Sequence, residues 1–197
     1  VALRSALLGR FNAENLVAVL ACLLALGLAP EEAAARLARA KPVAGRMERF
    51  GGDGRPLVIV DYAHSPDALE KVLRALREHT AGRLWCVFGC GGDRDRGKRP
   101  QMGRIAEALA DEVILTDDNP RREDPDGIIE EIAAGMSARP AVVRDRAAAI
   151  RRAFSGARAG DVVLVAGKGH EEYQQVGDTR LPYSDRDAVR TLLEVAA

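Results

Sequence analysis

A chain of 197 residues can bury one full core with a short remainder, but not two complete domains. Its 29 basic residues balance 29 acidic ones at a formal net charge of +0, so no overall field draws it to nucleic acid or anionic lipid, and neither partner is expected. Cys22, Cys86 and Cys90 are odd in number, sit in or beside apolar runs, and have no CxxC pair or nearby His, so a disulfide framework and a zinc site are not expected and a reducing cytoplasm fits best.

The first residue is Val1, and residues 1–10 lack the charged-then-apolar pattern of a signal peptide, so the start reads as cut from a longer chain. The apolar run from Leu16 to Leu26 is shorter than the ~20 residues a bilayer span requires. After a turn-like stretch at 9–12, Leu16, Val19, Leu20, Leu23 and Leu24 recur at helical spacing and predict an amphipathic helix ended by Gly27. A second helix is predicted from Pro30 to about Ala40, with Glu31 and Glu32 complementing its dipole. Pro42 and Gly45 interrupt helix, and the pattern changes beyond them, which divides the chain into 1–43 and 44–197.

From Pro56 onward, near-continuous apolar runs of strand length recur: Leu57–Val60, Leu84–Phe88, Val113–Thr116, Ala141–Val143 and Val162–Ala166. Such runs suit strands buried on both faces. Helical patterns separate them: Leu69, Val72, Leu73 and Leu76; Met102, Ile105 and Leu109; Ile128, Ile129, Ile132 and Met136; then Val189, Leu192 and Leu193. Ser65 before Pro66, Asp124 before Pro125, and Ser184 with Asp187 mark helix starts. Arg180–Tyr183 is a candidate last strand, with Pro182 pointing to an edge or a loop. Strand then helix, repeated, predicts an α/β fold: a Rossmann-like, mostly parallel sheet flanked by helices.

Ligands bind such sheets at the carboxyl ends of the strands. Four polar or Gly-rich segments follow the apolar runs: Asp61–His64, Gly89–Arg99, Asp117–Arg122 and Gly167–Glu172. Gly92 to Lys98 has the GxxxxGK spacing of a phosphate loop, but Arg99 stands where Ser or Thr would hold magnesium, and Asp93 and Asp95 would face phosphate, so that reading is rejected. A GxGxxG reading fails because Arg94 occupies the last glycine position. What remains is a turn presenting Arg94, Arg96, Lys98 and Arg99 beside two aspartates, suited either to a zwitterionic ligand or to self-paired solvation. Asn119 and Arg121, around Pro120, could clamp a carboxylate or form an ordinary turn, and Glu171 could accept from an ammonium or cap a helix.

GRMERF at 45–50, DYAHSPDALE at 61–70, GCGGDRDRGKRP at 89–100, DDNPR at 117–121 and GKGHE at 167–171 occur in this order, and from Phe11 to the end the chain resembles the Mur ligase family. Ser65 and Arg96 replace the family's usual threonine and lysine. The resemblance implies an ATP-dependent amide ligase of peptidoglycan synthesis that adds meso-diaminopimelate to the D-glutamate carboxylate of UDP-N-acetylmuramoyl-L-alanyl-D-glutamate. It implies a monomer using ATP and Mg2+, with 1–43 as the tail of a central ATPase domain and 44–197 as the C-terminal amino-acid-binding domain. It places Arg94, Asp118, Asn119, Pro120, Arg121, Gly167 and Glu171 on diaminopimelate, and Arg46, Asp61, Asn12, Asn15 and His64 on ATP. It assigns no catalytic residue and no metal ligand to this chain, since the family's phosphate loop and carbamylated lysine would lie upstream, and the piece alone is expected to be inactive. Lysine lacks diaminopimelate's second carboxylate and would leave Arg121 unpaired at a cost of roughly 2–5 kcal/mol. A lysine-adding or folylpolyglutamate-type ligase, or a non-catalytic nucleotide-binding module, are the alternatives.

Overall fold

The computed structural model describes residues 1–195 and divides into two compact units, Val1–Val43 and Ala44–Ala197. The first unit is a helix pair, α1 (Arg10–Ala25) and α2 (Pro30–Leu37). Gly27 takes a φ of 87° and donates its N–H to Leu24 O, a glycine stop after the last turn. Pro30 opens α2, which closes at Leu37 rather than near Ala40. Ala33, Ala34 and Leu37 of α2 are buried, but only Leu16 of α1 is, and Val17, Val19 and Leu24 stay exposed within the unit.

In the second unit, strands β1 (Glu48–Gly51) and β2 (Leu57–Asp61) lead into α3 (Pro66–Arg77), β3 (Leu84–Phe88), α4 (Lys98–Leu109), β4 (Glu112–Leu115), α5 (Pro125–Ala133), β5 (Ala141–Val142), α6 (Arg146–Gly156) and β6 (Val162–Ala166). A hairpin of β7 (Tyr173–Val176) and β8 (Thr179–Pro182) and a last helix α7 (Asp185–Val195) follow. The six-stranded sheet has the order β1-β2-β6-β3-β4-β5, with β1 antiparallel to β2 and every other pairing parallel. All five residues of β3 and of β6 are buried, which is why these segments read as unbroken apolar runs. Val58, Val60, Trp85, Val87, Val163 and Val165 form one core with Ala149, Ile150 and Ala153 of α6 and Val189 of α7. Helices α3, α4 and α5 pack side by side and cover the other face.

Helix starts follow the expected chemistry: the side chains of Ser65 and Asp124 accept from Ala68 N and Asp126 N, and Ser184 Oγ accepts from Asp187 N. The Arg180–Tyr183 segment proves to be β8, outside the main sheet and paired only with β7, so Pro182 sits on an edge. Strands β1 and β7 and helix α6 add to what the apolar pattern predicts. β6 lies between β2 and β3, so the chain skips a position on leaving β2 and fills it on its return, and loops from β2, β6, β3 and β4 converge at one end of the sheet.

Candidate functional site

Those loops surround a cleft of about 450 Å3. All four expected segments contribute: His64 after β2, Arg94 after β3, Asp118, Asn119 and Arg121 after β4, and Gly167 and Glu171 after β6. Gly91, Asp95 and Lys98 of the charged loop line it too, as do Tyr62 and Tyr173, to which the sequence reading gave no role.

The charged loop splits into two functions. Arg94 and Lys98 face the cleft, Lys98 donating its ammonium to His64 O at 2.7 Å. Arg99, expected in the same gripping cluster, is fully buried instead, donating to both oxygens of Glu123 at 2.8 and 2.9 Å and to Glu131 at 2.7 Å. Arg96 is exposed and pairs with Glu131. Glu123 also accepts from Asp93 N, so it ties the loop after β3 to the loop after β4. The Arg99 guanidinium, more than that backbone bond, holds the Glu123 carboxyl down to about 2. A depressed acid stabilises the fold above its ordinary titration range and loses that contribution as pH falls through the folded value. The stability difference between wild type and Glu123→Gln is therefore expected to be greatest at neutral pH and to shrink from about pH 5 toward pH 2, as read from urea midpoints.

Asp118 and Asn119 are buried, and Arg121 is half-buried with a left-handed φ of 51°. The hairpin holds this strained backbone: Arg121 N donates to Gln175 O at 3.0 Å, and Gly177 N donates to Arg121 O at 2.7 Å. Gln174 Nε2 donates to Asp118 O at 2.8 Å, and Arg122 pairs with Asp178 through both carboxylate oxygens. The Arg121 guanidinium donates to Gly92 O at 2.8 Å and crosses Gly91, where a Cβ would stand 2.7 Å from its Nη1 and the guanidinium would have to shift. Pro120 is buried, its carbonyl packed on Gly92.

Beyond β6, Gly167 has a φ of 121°, and a Cβ there would lie 2.6 Å from Asp118 Oδ2. The turn carries Lys168 inward to full burial, where its ammonium meets Asn119 Oδ1 at 2.9 Å, Glu171 Oε2 at 3.1 Å and Asp118 Oδ1 at 3.5 Å. Sequence reading assigned Lys168 no role; a lysine between two glycines directly after the most apolar strand was the signal available. Asn119 is drawn into the same cluster, donating Nδ2 to Glu171 Oε2 at 2.9 Å and accepting from Gln175 N at 2.8 Å, which leaves one N–H for a ligand carboxylate.

Of the candidates for ATP, His64 lines the same cleft. Asp61 is buried, and its carboxylate accepts from Met47 N and Ala63 N, both at 2.8 Å, which braces the turn after β2. Burial raises its carboxyl above the ordinary value despite those bonds. Arg46 is exposed and stacks over Tyr62 at 4.5 Å, and His64 and His170 lie against the same ring. In the helix pair, Asn12 donates to Leu8 O at 2.8 Å and Asn15 is exposed. Burial pushes the thiols of Cys86 and Cys90 up to about 12, which keeps them neutral and unsuited to nucleophilic work. Among the described residues, no group of three His, Cys, Asp or Glu could hold a metal ion, and no helix is long and apolar enough to cross a membrane.

A mostly parallel sheet with guanidinium and carboxylate groups raised together on its strand tips defines an α/β domain with a charged cleft at the carboxyl ends of its strands. Residues 45–169 match the model of the Mur ligase, glutamate ligase domain, and the chain belongs to the Mur ligase family. It is 61% identical over 184 residues to the UDP-N-acetylmuramoyl-L-alanyl-D-glutamate--2,6-diaminopimelate ligase of Alkalilimnicola ehrlichii, covering 93% of this chain and 37% of that protein. A ligase of the same name from Xylella fastidiosa is 58% identical over 194 residues, covering 96% of this chain and 39% of that one. A solved structure of a UDP-N-acetylmuramoyl-L-alanyl-D-glutamate--2,6-diaminopimelate ligase superposes on all of this chain and 41% of its own, with a TM-score of 0.78 and 43% identity. The chain thus spans about two-fifths of the length of these relatives.

Proposed function

We propose that this chain is the amino-acid-binding part of an ATP-dependent ligase that joins meso-diaminopimelate to the D-glutamate carboxylate of UDP-N-acetylmuramoyl-L-alanyl-D-glutamate. The observation that carries the reading is that Arg94, Arg121 and Glu171 line one cleft. Two guanidinium groups and one carboxylate complement the far end of diaminopimelate, which carries a carboxylate and an ammonium on one carbon. The names of the relatives support the same substrate. In this reading 44–197 form the amino-acid-binding domain and 1–43 the tail of the ATPase domain, with Arg46, His64, Asn12 and Asn15 toward ATP. Asp61 belongs to the same ATP-facing set, and its carboxylate also braces the turn after β2 through Met47 N and Ala63 N.

ATP would activate the D-glutamate carboxylate as an acyl phosphate, and the amine of the amino acid would attack it. The work of these residues is to hold the distal end of the amino acid, a hold made alike in the ground and transition states, so its loss is read in KM for that substrate. The family resemblance places the magnesium ligands of the full-length ligase outside these residues.

Full-length enzyme offered diaminopimelate, lysine and glutamate in parallel is the test. A kcat/KM for diaminopimelate at least about 30-fold above both competitors is expected, since lysine leaves the guanidiniums unpaired and glutamate leaves Glu171 unpaired. Equal rates, or a preference for lysine or glutamate, would overturn the reading.

A further inference from the structure

We propose that Lys168 is the positioning residue of this cleft: its buried ammonium locks Asn119 and Glu171 so that one oxygen of Glu171 is left free, and correctly aimed, for the ammonium of the ligand. The proposal rests on the amino-acid-binding reading above and assigns a role to a residue that does not itself reach the ligand.

Lys168 is 0% exposed, and a buried ammonium persists only when its protons are spent. Two of its protons go to Asn119 Oδ1 at 2.9 Å and Glu171 Oε2 at 3.1 Å, Asp118 Oδ1 stands 3.5 Å away as an ion-pair partner, and the Tyr173 ring lies 5.6 Å away. The Asn119 amide is then oriented without ambiguity. Its Oδ1 takes two donors, the Lys168 ammonium and Gln175 N, so Nδ2 must face Glu171. Glu171 Oε2 therefore receives both Lys168 and Asn119, while among the described residues no hydrogen bond reaches Oε1. The charges agree with the geometry. Asp118 and Glu171 outnumber the one lysine between them, so this side of the cleft is acidic while Arg94, Lys98 and Arg121 line the rest. Without Lys168 the two carboxylates would repel, and Glu171 would be displaced or neutralised.

In the full-length ligase, Lys168→Met keeps the aliphatic stem and removes the charge. KM for diaminopimelate is expected to rise roughly tenfold or more, with KM for ATP and kcat at saturating amino acid within about twofold of wild type. In a Glu171→Gln background the same substitution is expected to change KM by less than about twofold, because Lys168 acts through Glu171. An unchanged amino-acid KM, a parallel loss for both substrates, or effects that multiply in the double variant would each overturn the proposal. Should Lys168→Met lose its cooperative unfolding transition, Asn119→Asp is the second probe. It keeps the shape and the acceptor but turns the donor facing Glu171 into a repelling oxygen, so the same selective rise in KM is expected and an unchanged KM overturns the idea. Failure of the substrate reading shows separately, in the wild-type preference among the three amino acids, and the variants are then measured on the preferred one.

Discussion

Arg121→Ala in the full-length ligase is expected to raise KM for diaminopimelate about 30-fold, equivalent to about 2 kcal/mol, while lysine ligation changes by less than about threefold. The figure sits at the low end of what a broken charge pair costs, for two reasons visible at the site. Arg121 is half-buried, so water screens part of the loss, and its Nη1 already donates to Gly92 O at 2.8 Å, so the guanidinium is never wholly unpartnered. Arg121→Lys is not expected to rescue, because an ammonium lacks the planar fork that meets a carboxylate through two parallel bonds. Steady-state kinetics on both amino acids check this, and a KM for diaminopimelate within twofold of wild type would remove Arg121 from the site.

Asp185→Ala is expected to lower the unfolding free energy by about 3–5 kcal/mol, the largest stability effect of any single substitution considered. Asp185 and Arg146 are both fully buried and joined by two bonds of 2.7 and 2.9 Å. Burial alone would favour losing the Arg146 proton, but the Asp185 carboxylate outweighs it and raises the guanidinium above its ordinary value. Removing the acid leaves a full positive charge in the interior hydrogen-bonded only to carbonyls, Ala166 O at 2.9 Å and Asp117 O at 3.4 Å, with the Asp118 carboxylate as its remaining nearby anion. Those carbonyls precede Gly167 and Asp118, so the pair also anchors the floor of the cleft. The double variant Arg146→Met with Asp185→Leu is expected to recover part of the loss, not all, because the carbonyls then lack their donor. Denaturant midpoints at neutral pH measure both, and a loss below about 1 kcal/mol for the single variant would contradict the account.

The strands most plainly written in the sequence are those buried on both faces. Leu84–Phe88 and Val162–Ala166 match β3 and β6 residue for residue, because a strand covered by helices on both sides must be apolar throughout. Elements that borrow their partners from elsewhere are fainter. β1 carries charged residues and pairs on one side only, β7 is polar and pairs only within its hairpin, and α6 begins on a buried arginine whose partner, Asp185, lies 39 residues on.

From the residues alone follow the parallel sheet, the order along the chain of its five parallel strands and most of its helices, and the loops at the strand ends, three of which carry Arg94, Asn119, Arg121 and Glu171. Apolar period and turn chemistry are local properties, and local properties are legible in one dimension. Which charges in those loops serve a ligand and which serve the fold was decided only in three dimensions. Arg99 is spent on Glu123 and Glu131, 24 and 32 residues away, and Lys168 on Asn119, 49 residues back. A buried cation takes its role from whichever oxygens the tertiary fold brings within about 3 Å, and no spacing along the chain encodes that distance.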